Sequence, residues 1–188
     1  MGMTVEHWVL SEEDYLVAEE AASFKNEYLA GEAYAMAEAS EWHNRISGNI
    51  FFHLRAATRG HRCRTFAADM KLRITAHRAY YYPDVMLVCD PADNHPIYKT
   101  SPCFIAEVLS PNTAAIDQRE KWLHYRDLPG LRYYLLADSD KREARFFSRD
   151  GDVWREQTLG PEDIVEIACD GLALPLSLDD LYEDTGLS

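Results

Sequence analysis

Two apolar runs constrain this chain more than any other feature. Tyr80 to Cys89 and Cys103 to Leu109 are strand-length and apolar at odd and even positions alike, and each is interrupted by one acid, Asp84 in the first and Glu107 in the second. A strand with one wet face alternates, whereas a strand apolar on both faces belongs in the middle of a covered sheet. A carboxylate placed there is costly unless it is protonated, paired or offset by a cation. Either acid alone is explained as well by a loop cap or an arginine partner. Together they suggest neighbouring strands whose carboxylates converge at one edge of the sheet. Two oxygen donors with positions left over for water suit Mg2+ or Mn2+.

The surrounding pattern reads as α/β. Ser11-Glu12-Glu13-Asp14 starts a helix that runs towards Ala22. Glu27 to Met36 reads as a hairpin turning at Ala30-Gly31. Ser40 caps a helix in which Ile46, Ile50 and Leu54 form a stripe, and Gly60 closes it. Arg64 to Ile74 reads as one strand ahead of the two apolar runs. Ser110-Pro111-Asn112-Thr113 caps a helix from about Ala114 to Leu128, which Pro129-Gly130 ends. Tyr133 to Ala137 is a further central strand. Ala144 to Phe147, Val153 to Gln157 and Ile164 to Ala168 are shorter strands, and Ser177 caps a last short helix. There is no repeat, low-complexity tract or linker, so residues 1–188 are expected to form a single domain.

Charge limits the function classes. Lys and Arg number 19 against 32 Asp and Glu, a formal net charge of −13. A protein that grips nucleic acid by neutralising phosphates normally carries a basic surface. This chain could do so only locally, through Arg55, Arg59, Arg62 and Arg64 or through Lys71 and Arg73. Strong non-specific DNA affinity is therefore not expected. The four cysteines, Cys63, Cys89, Cys103 and Cys169, form no C-x-x-C pair, and two lie inside apolar runs. That placement favours buried structural thiols over a zinc site or a disulfide framework. The first ten residues carry no basic stretch and the apolar runs are too short to span a bilayer. A cytoplasmic location and no membrane partner are expected.

The order of motifs resembles the PD-(D/E)XK nuclease superfamily. More narrowly, it is similar to the stand-alone restriction-endonuclease family of short bacterial proteins. The resemblance is carried by Gly31-Glu32, Ala39-Ser40-Glu41-Trp42-His43-Asn44, Tyr81-Tyr82-Pro83-Asp84, Glu107-Val108-Leu109-Ser110-Pro111 and Asp117 to Tyr125, and it spans roughly residues 10 to 140. It implies a restriction-endonuclease-like mixed central sheet flanked by helices, with a core at about 40–140 and an N-terminal helix and hairpin extension. It also implies that Asp84, Glu107 and the main-chain carbonyl of Val108 hold Mg2+ or Mn2+. The superfamily's lysine, expected two residues after Glu107, is replaced here by Leu109. Lys121 on the following helix is the natural substitute, and the competing reading makes it a surface residue paired with Asp117. His43 and Glu32 are supporting candidates. His43 would bind phosphate or orient a metal ligand, or be structural. Glu32 would add an acid from the hairpin, or be solvated. Asp69 and Asp117 rank lower. The implied activity is metal-dependent phosphodiester hydrolysis of nucleic acid, with DNA favoured, and a homodimer would serve double-strand cuts. The alternative is a catalytically silent module that uses the nuclease fold for binding within a larger assembly.

Overall fold

The computed structural model describes residues 9–36, 39–110 and 114–187, with the side chains of 114–119 set aside. The chain opens with α1 (Glu12–Ala21), whose N-cap Ser11 accepts a hydrogen bond from the Asp14 N–H at 3.0 Å. Strands β1 (Asn26–Leu29) and β2 (Glu32–Ala35) follow as a hairpin. Ala30 and Gly31 hold the two positive-φ positions of its turn, at 49° and 112°, as a tight two-residue connection requires. Helix α2 (Glu41–Ala57) is capped by Ser40 and buries Ile46, Ile50 and Leu54.

Arg64 to Ile74, expected as one strand, is two: β3 (Arg64–Ala67) and β4 (Lys71–Ile74). Ala68, at φ 34°, turns the chain between them. After a short 3-10 turn (Thr75–His77), the run Tyr80 to Cys89 is likewise divided into β5 (Ala79–Tyr81) and β6 (Val85–Val88). Pro83 falls in the break, and its ring nitrogen has no hydrogen to give to a strand ladder. The remaining elements are β7 (Tyr98–Lys99), β8 (Pro102–Leu109), α3 (Ala114–Tyr125), β9 (Tyr133–Asp138), β10 (Ala144–Asp150), β11 (Val153–Thr158), β12 (Ile164–Cys169), β13 (Leu172–Ser177) and α4 (Leu178–Tyr182). β13 was not expected from the sequence. The cap expected at residues 111–113 lies outside the described residues.

Two larger sheets result. One has the order β2-β1-β5-β4-β7 and the other β11-β10-β9-β8-β6-β3, while β12 and β13 pair by themselves. β6 and β8 run antiparallel as neighbours, and β8 and β9 are parallel. Alternate residues of this central strip enter different cores. Val85, Leu87, Phe104 and Ala106 pack with the stripe of α2. Met86, Val88 and Ile105 pack with Tyr125, Leu128 and Leu131 at the end of α3 and beyond it. Helices on both faces explain why these strands are apolar throughout. The break at Pro83 passes the chain from one large sheet to the other, and Asp84 stands at that crossing.

The cysteines depart from expectation. They pair as Cys63–Cys89 and Cys103–Cys169, which leaves none free. Cys63 precedes β3 and Cys89 follows β6, so the β3–β6 pairing brings their Cα atoms to 4.0 Å. Cys103 begins β8, and Cys169 ends β12 where that strand packs into the same core. All four therefore meet at one end of the core, although they lie far apart in sequence. The Cys103–Cys169 bond ties the β12–β13 hairpin to the central sheet. No helix among the described residues is long and apolar enough to cross a membrane.

Candidate active site

The register of β6 and β8 pairs Val85 with Ala106, which sets Asp84 across from Glu107 at the roughly 5 Å Cα spacing of opposed strand residues. Asp84 is fixed from two sides. Its Oδ2 accepts a 2.7 Å hydrogen bond from the Val108 N–H. The same oxygen lies 3.2 Å from Nε2 of His43. The imidazole projects from the first turn of α2, where the His43 N–H donates to the Ser40 hydroxyl at 3.1 Å. Burial opposes a charged imidazole, but the bond to Asp84, the Asp84 charge and the Val108 carbonyl together raise the His43 pKa.

Glu107 continues the row of Ile105, which faces α3, and it is buried. The Tyr125 hydroxyl donates to its Oε1 at 2.6 Å. Burial is the main force on its carboxyl and drives the pKa up to about 8. Lys121 and the tyrosine bond pull the other way, and the negative charges of Asp84 and Glu27 add to the rise. A carboxylate in that position gains from any compensating positive charge.

Lys121 is buried, which removes the surface reading. Its Nζ lies 2.7 Å from Glu27 Oε1 and 5.5 Å from the centre of the Tyr81 ring. The side chain of Asp117, its alternative partner, lies outside the described residues. Glu27 Oε1 also accepts from the Tyr82 N–H at 3.3 Å. The acid that the hairpin supplies is thus Glu27, not Glu32. β1 lies between β2 and β5 and is half-buried or buried along its length, whereas β2 is an edge strand exposed along its whole length. Glu32 is an exposed residue bonded to the Tyr34 hydroxyl. Asp69 is also exposed and pairs with Lys25. Glu27 escaped sequence reasoning because alternation in a four-residue strand does not say which residues are covered. Its position beside the buried Tyr28 was the only available signal.

Glu27, His43, Asp84, Glu107, Val108 and Lys121 line one cleft of about 490 Å3. Among the described residues, no three His, Cys, Asp or Glu side chains form a metal-holding group on their own. A divalent cation would therefore draw on Asp84, Glu107 and the Val108 carbonyl. That donor set suits a hard ion that keeps several waters. The fit rests on Glu107, where burial first and the Asp84 charge second raise the carboxyl's pKa, a cost that a bound cation would offset.

A mixed sheet with an acid pair at adjacent strands fits the PD-(D/E)XK fold, and Lys121 reaches the cleft from the next helix where the superfamily's own lysine position holds Leu109. The chain belongs to the Uma2 family, described as "Putative restriction endonuclease", whose pattern matches residues 12–179. It is 35% identical over 147 residues to the uncharacterized protein sll1609 of Synechocystis, covering 77% of this chain and 83% of that one. A second Synechocystis protein, the uncharacterized slr1290, is 34% identical over 172 residues, or 90% of each chain. The fold matches a crystal structure from Anabaena variabilis described as "a putative nuclease belonging to DUF820". The TM-score is 0.73 at 17% identity, covering 92% of this chain and 97% of that one. Family and fold point to a nuclease.

Proposed function

We propose that the protein is a metal-dependent nuclease that hydrolyses phosphodiester bonds, with DNA as its substrate. The observation that carries this reading is the convergence of Asp84, Glu107 and the buried Lys121 in one cleft. Asp84 and Glu107, with the Val108 carbonyl, would hold Mg2+ or Mn2+. When bound, that ion supplies positive charge against the scissile phosphate and lowers the pKa of water. Asp84 is oriented for this by the Val108 N–H and His43. Lys121 orients the attacking water and offsets the charge that develops on the phosphate, while Glu27 holds its ammonium in place. Lys25 also lines the cleft and would contact the substrate backbone. The working location is the cytoplasm, and double-strand cleavage would engage two copies.

The −13 net charge favours a second reading, in which the same cleft binds within a larger assembly and does no chemistry. The two readings part on one experiment. Purified wild type, Asp84→Ala and Lys121→Ala are incubated with supercoiled and single-stranded DNA in Mg2+ or Mn2+. The enzyme reading expects metal-dependent cleavage by wild type and none by Asp84→Ala. It expects a drop of about 100- to 1,000-fold for Lys121→Ala, the usual effect of removing a charge partner of the transition state. A folded wild type that binds metal but cuts neither substrate supports the binding module.

A further inference from the structure

We propose that Tyr34 is a stacking platform for an unpaired base, and that the cleft therefore takes single-stranded DNA. This rests on the reading above that the cleft acts on DNA, and it names the form of DNA that fits. Three observations carry it. First, Tyr34 lines the cleft that holds Asp84, Glu107 and Lys121, yet it is 50% exposed. The other tyrosine of the lining, Tyr82, is buried, with Lys25 and Lys71 5.7 and 5.1 Å from its ring centre. Second, the hairpin register sets Tyr34 directly across from Glu27. Opposed residues of an antiparallel pair share a face, with Cβ atoms ~4.5–5.5 Å apart. Glu27 holds Nζ of Lys121 at 2.7 Å, so the ring stands within one nucleotide's reach of the ammonium that would meet the scissile phosphate. Third, the cleft has little charge to spare for phosphates. Among the described residues, Lys25 and Lys121 are the lysines or arginines that line it, and each already carries an acid partner, Asp69 and Glu27 respectively. With a chain charge of −13 around it, the dense phosphates of a duplex find little here to neutralise them.

The chemistry of the wall decides which form of DNA benefits. Met36 and Ala39 add apolar surface beside Tyr34, and Asn44 and Ser47 bring an amide and a hydroxyl from α2. Such a wall suits the face and the edge of a base better than it suits phosphate. In a duplex each base is stacked on both sides and paired at its edge, so it reaches a side chain only when single-stranded or extruded. The Tyr34 hydroxyl is bonded to Glu32, which leaves the face of the ring to meet a base. Every base has such a face, so Tyr34 confers strand preference without sequence preference.

The test is fluorescence anisotropy of the full chain with three labelled probes: a single strand of DNA, the same sequence as a duplex, and an equally long strand of abasic nucleotides. Wild type, Tyr34→Ala and Tyr34→Phe are compared. Ca2+ replaces Mg2+ while binding is measured, cleavage is read separately in Mg2+, and circular dichroism checks folding. The proposal expects wild type to bind the single strand at least ~10-fold more tightly than the duplex or the abasic strand. Tyr34→Ala should weaken single-strand binding by ~5- to 100-fold and abasic binding little, whereas Tyr34→Phe keeps the ring and should bind as wild type does. A Tyr34→Ala protein that binds the single strand like wild type would overturn the proposal, as would a Tyr34→Phe protein as weak as Tyr34→Ala or a wild type that prefers the duplex. In each of those cases, metal-dependent cleavage by wild type would leave the nuclease reading standing. Tyr34-dependent binding without cleavage would support the stacking site and remove the hydrolytic reading. A wild type that binds none of the probes would overturn both.

Discussion

Replacing Glu107 with Gln should stabilise the metal-free protein at alkaline pH and remove most of its pH dependence. Glu107 has a folded-state pKa of about 8 against an ordinary value of 4.5. Between those values the unfolded chain has released the proton and the folded chain has kept it. Stability therefore falls as pH rises through that window, and the loss is complete once pH exceeds the folded value. At about 1.4 kcal/mol per pKa unit the full loss is on the order of 5 kcal/mol. Relaxation around a charged Glu107 and the nearby Lys121 recover part of it, so about 2–5 kcal/mol is expected between pH 5 and 9. Gln keeps the acceptor for the Tyr125 hydroxyl, carries no charge and has nearly the same volume. The assay is urea denaturation at half-unit pH steps, with chelator present, for wild type and Glu107→Gln. Wild type should weaken steadily above pH 5, the variant should stay nearly level, and the curves should diverge most near pH 9. Parallel curves would refute the reasoning, because the alkaline loss would then belong to other groups.

Further expectations follow from the same contacts. Lys121→Met removes the ammonium paired with the half-buried Glu27 and should destabilise by about 1–3 kcal/mol; adding Glu27→Gln should restore most of that, and purely additive losses in a double-mutant cycle would deny the ion pair. Glu27→Gln should reduce nuclease activity, whereas Glu32→Gln, on the exposed edge strand, should leave it unchanged in the same cleavage assay. Breaking the Cys103–Cys169 bond, which closes a separation of 66 residues, should cost about 4 kcal/mol. Denaturation of wild type and a Cys103→Ala, Cys169→Ala double variant reads that loss, and a mass count of alkylated cysteines reads the pairing. Four alkylated cysteines without reductant would contradict both bonds.

Much of the site was legible because charge is conspicuous in apolar strands. Asp84 and Glu107 stood out for that reason alone, and the Ser40 cap with Ile46, Ile50 and Leu54 was readable from helical spacing. What was not legible depends on which surfaces the fold covers. Glu27 lies three residues before Ala30 and Glu32 one residue after Gly31, and only the pairing of β1 with β5 shields the first and not the second. Lys121 looks like any lysine of an amphipathic helix until Glu27 and Tyr81 close over it. The divisions at Ala68 and Pro83 were hidden because apolar composition runs through them, although the proline was a usable warning. The cysteine pairing rests on contacts across separations of 26 and 66 residues, which spacing in the sequence does not encode.

The central claim is that Asp84 and Glu107 share one catalytic cation, and anomalous scattering from a crystal soaked in Mn2+ tests it most directly. The account predicts one strong peak in the cleft, within ~2.0–2.6 Å of oxygens from both carboxylates. It also predicts that the peak disappears in Asp84→Ala. A fully occupied Mn2+ elsewhere on the protein, with none bound between the two carboxylates, would contradict it.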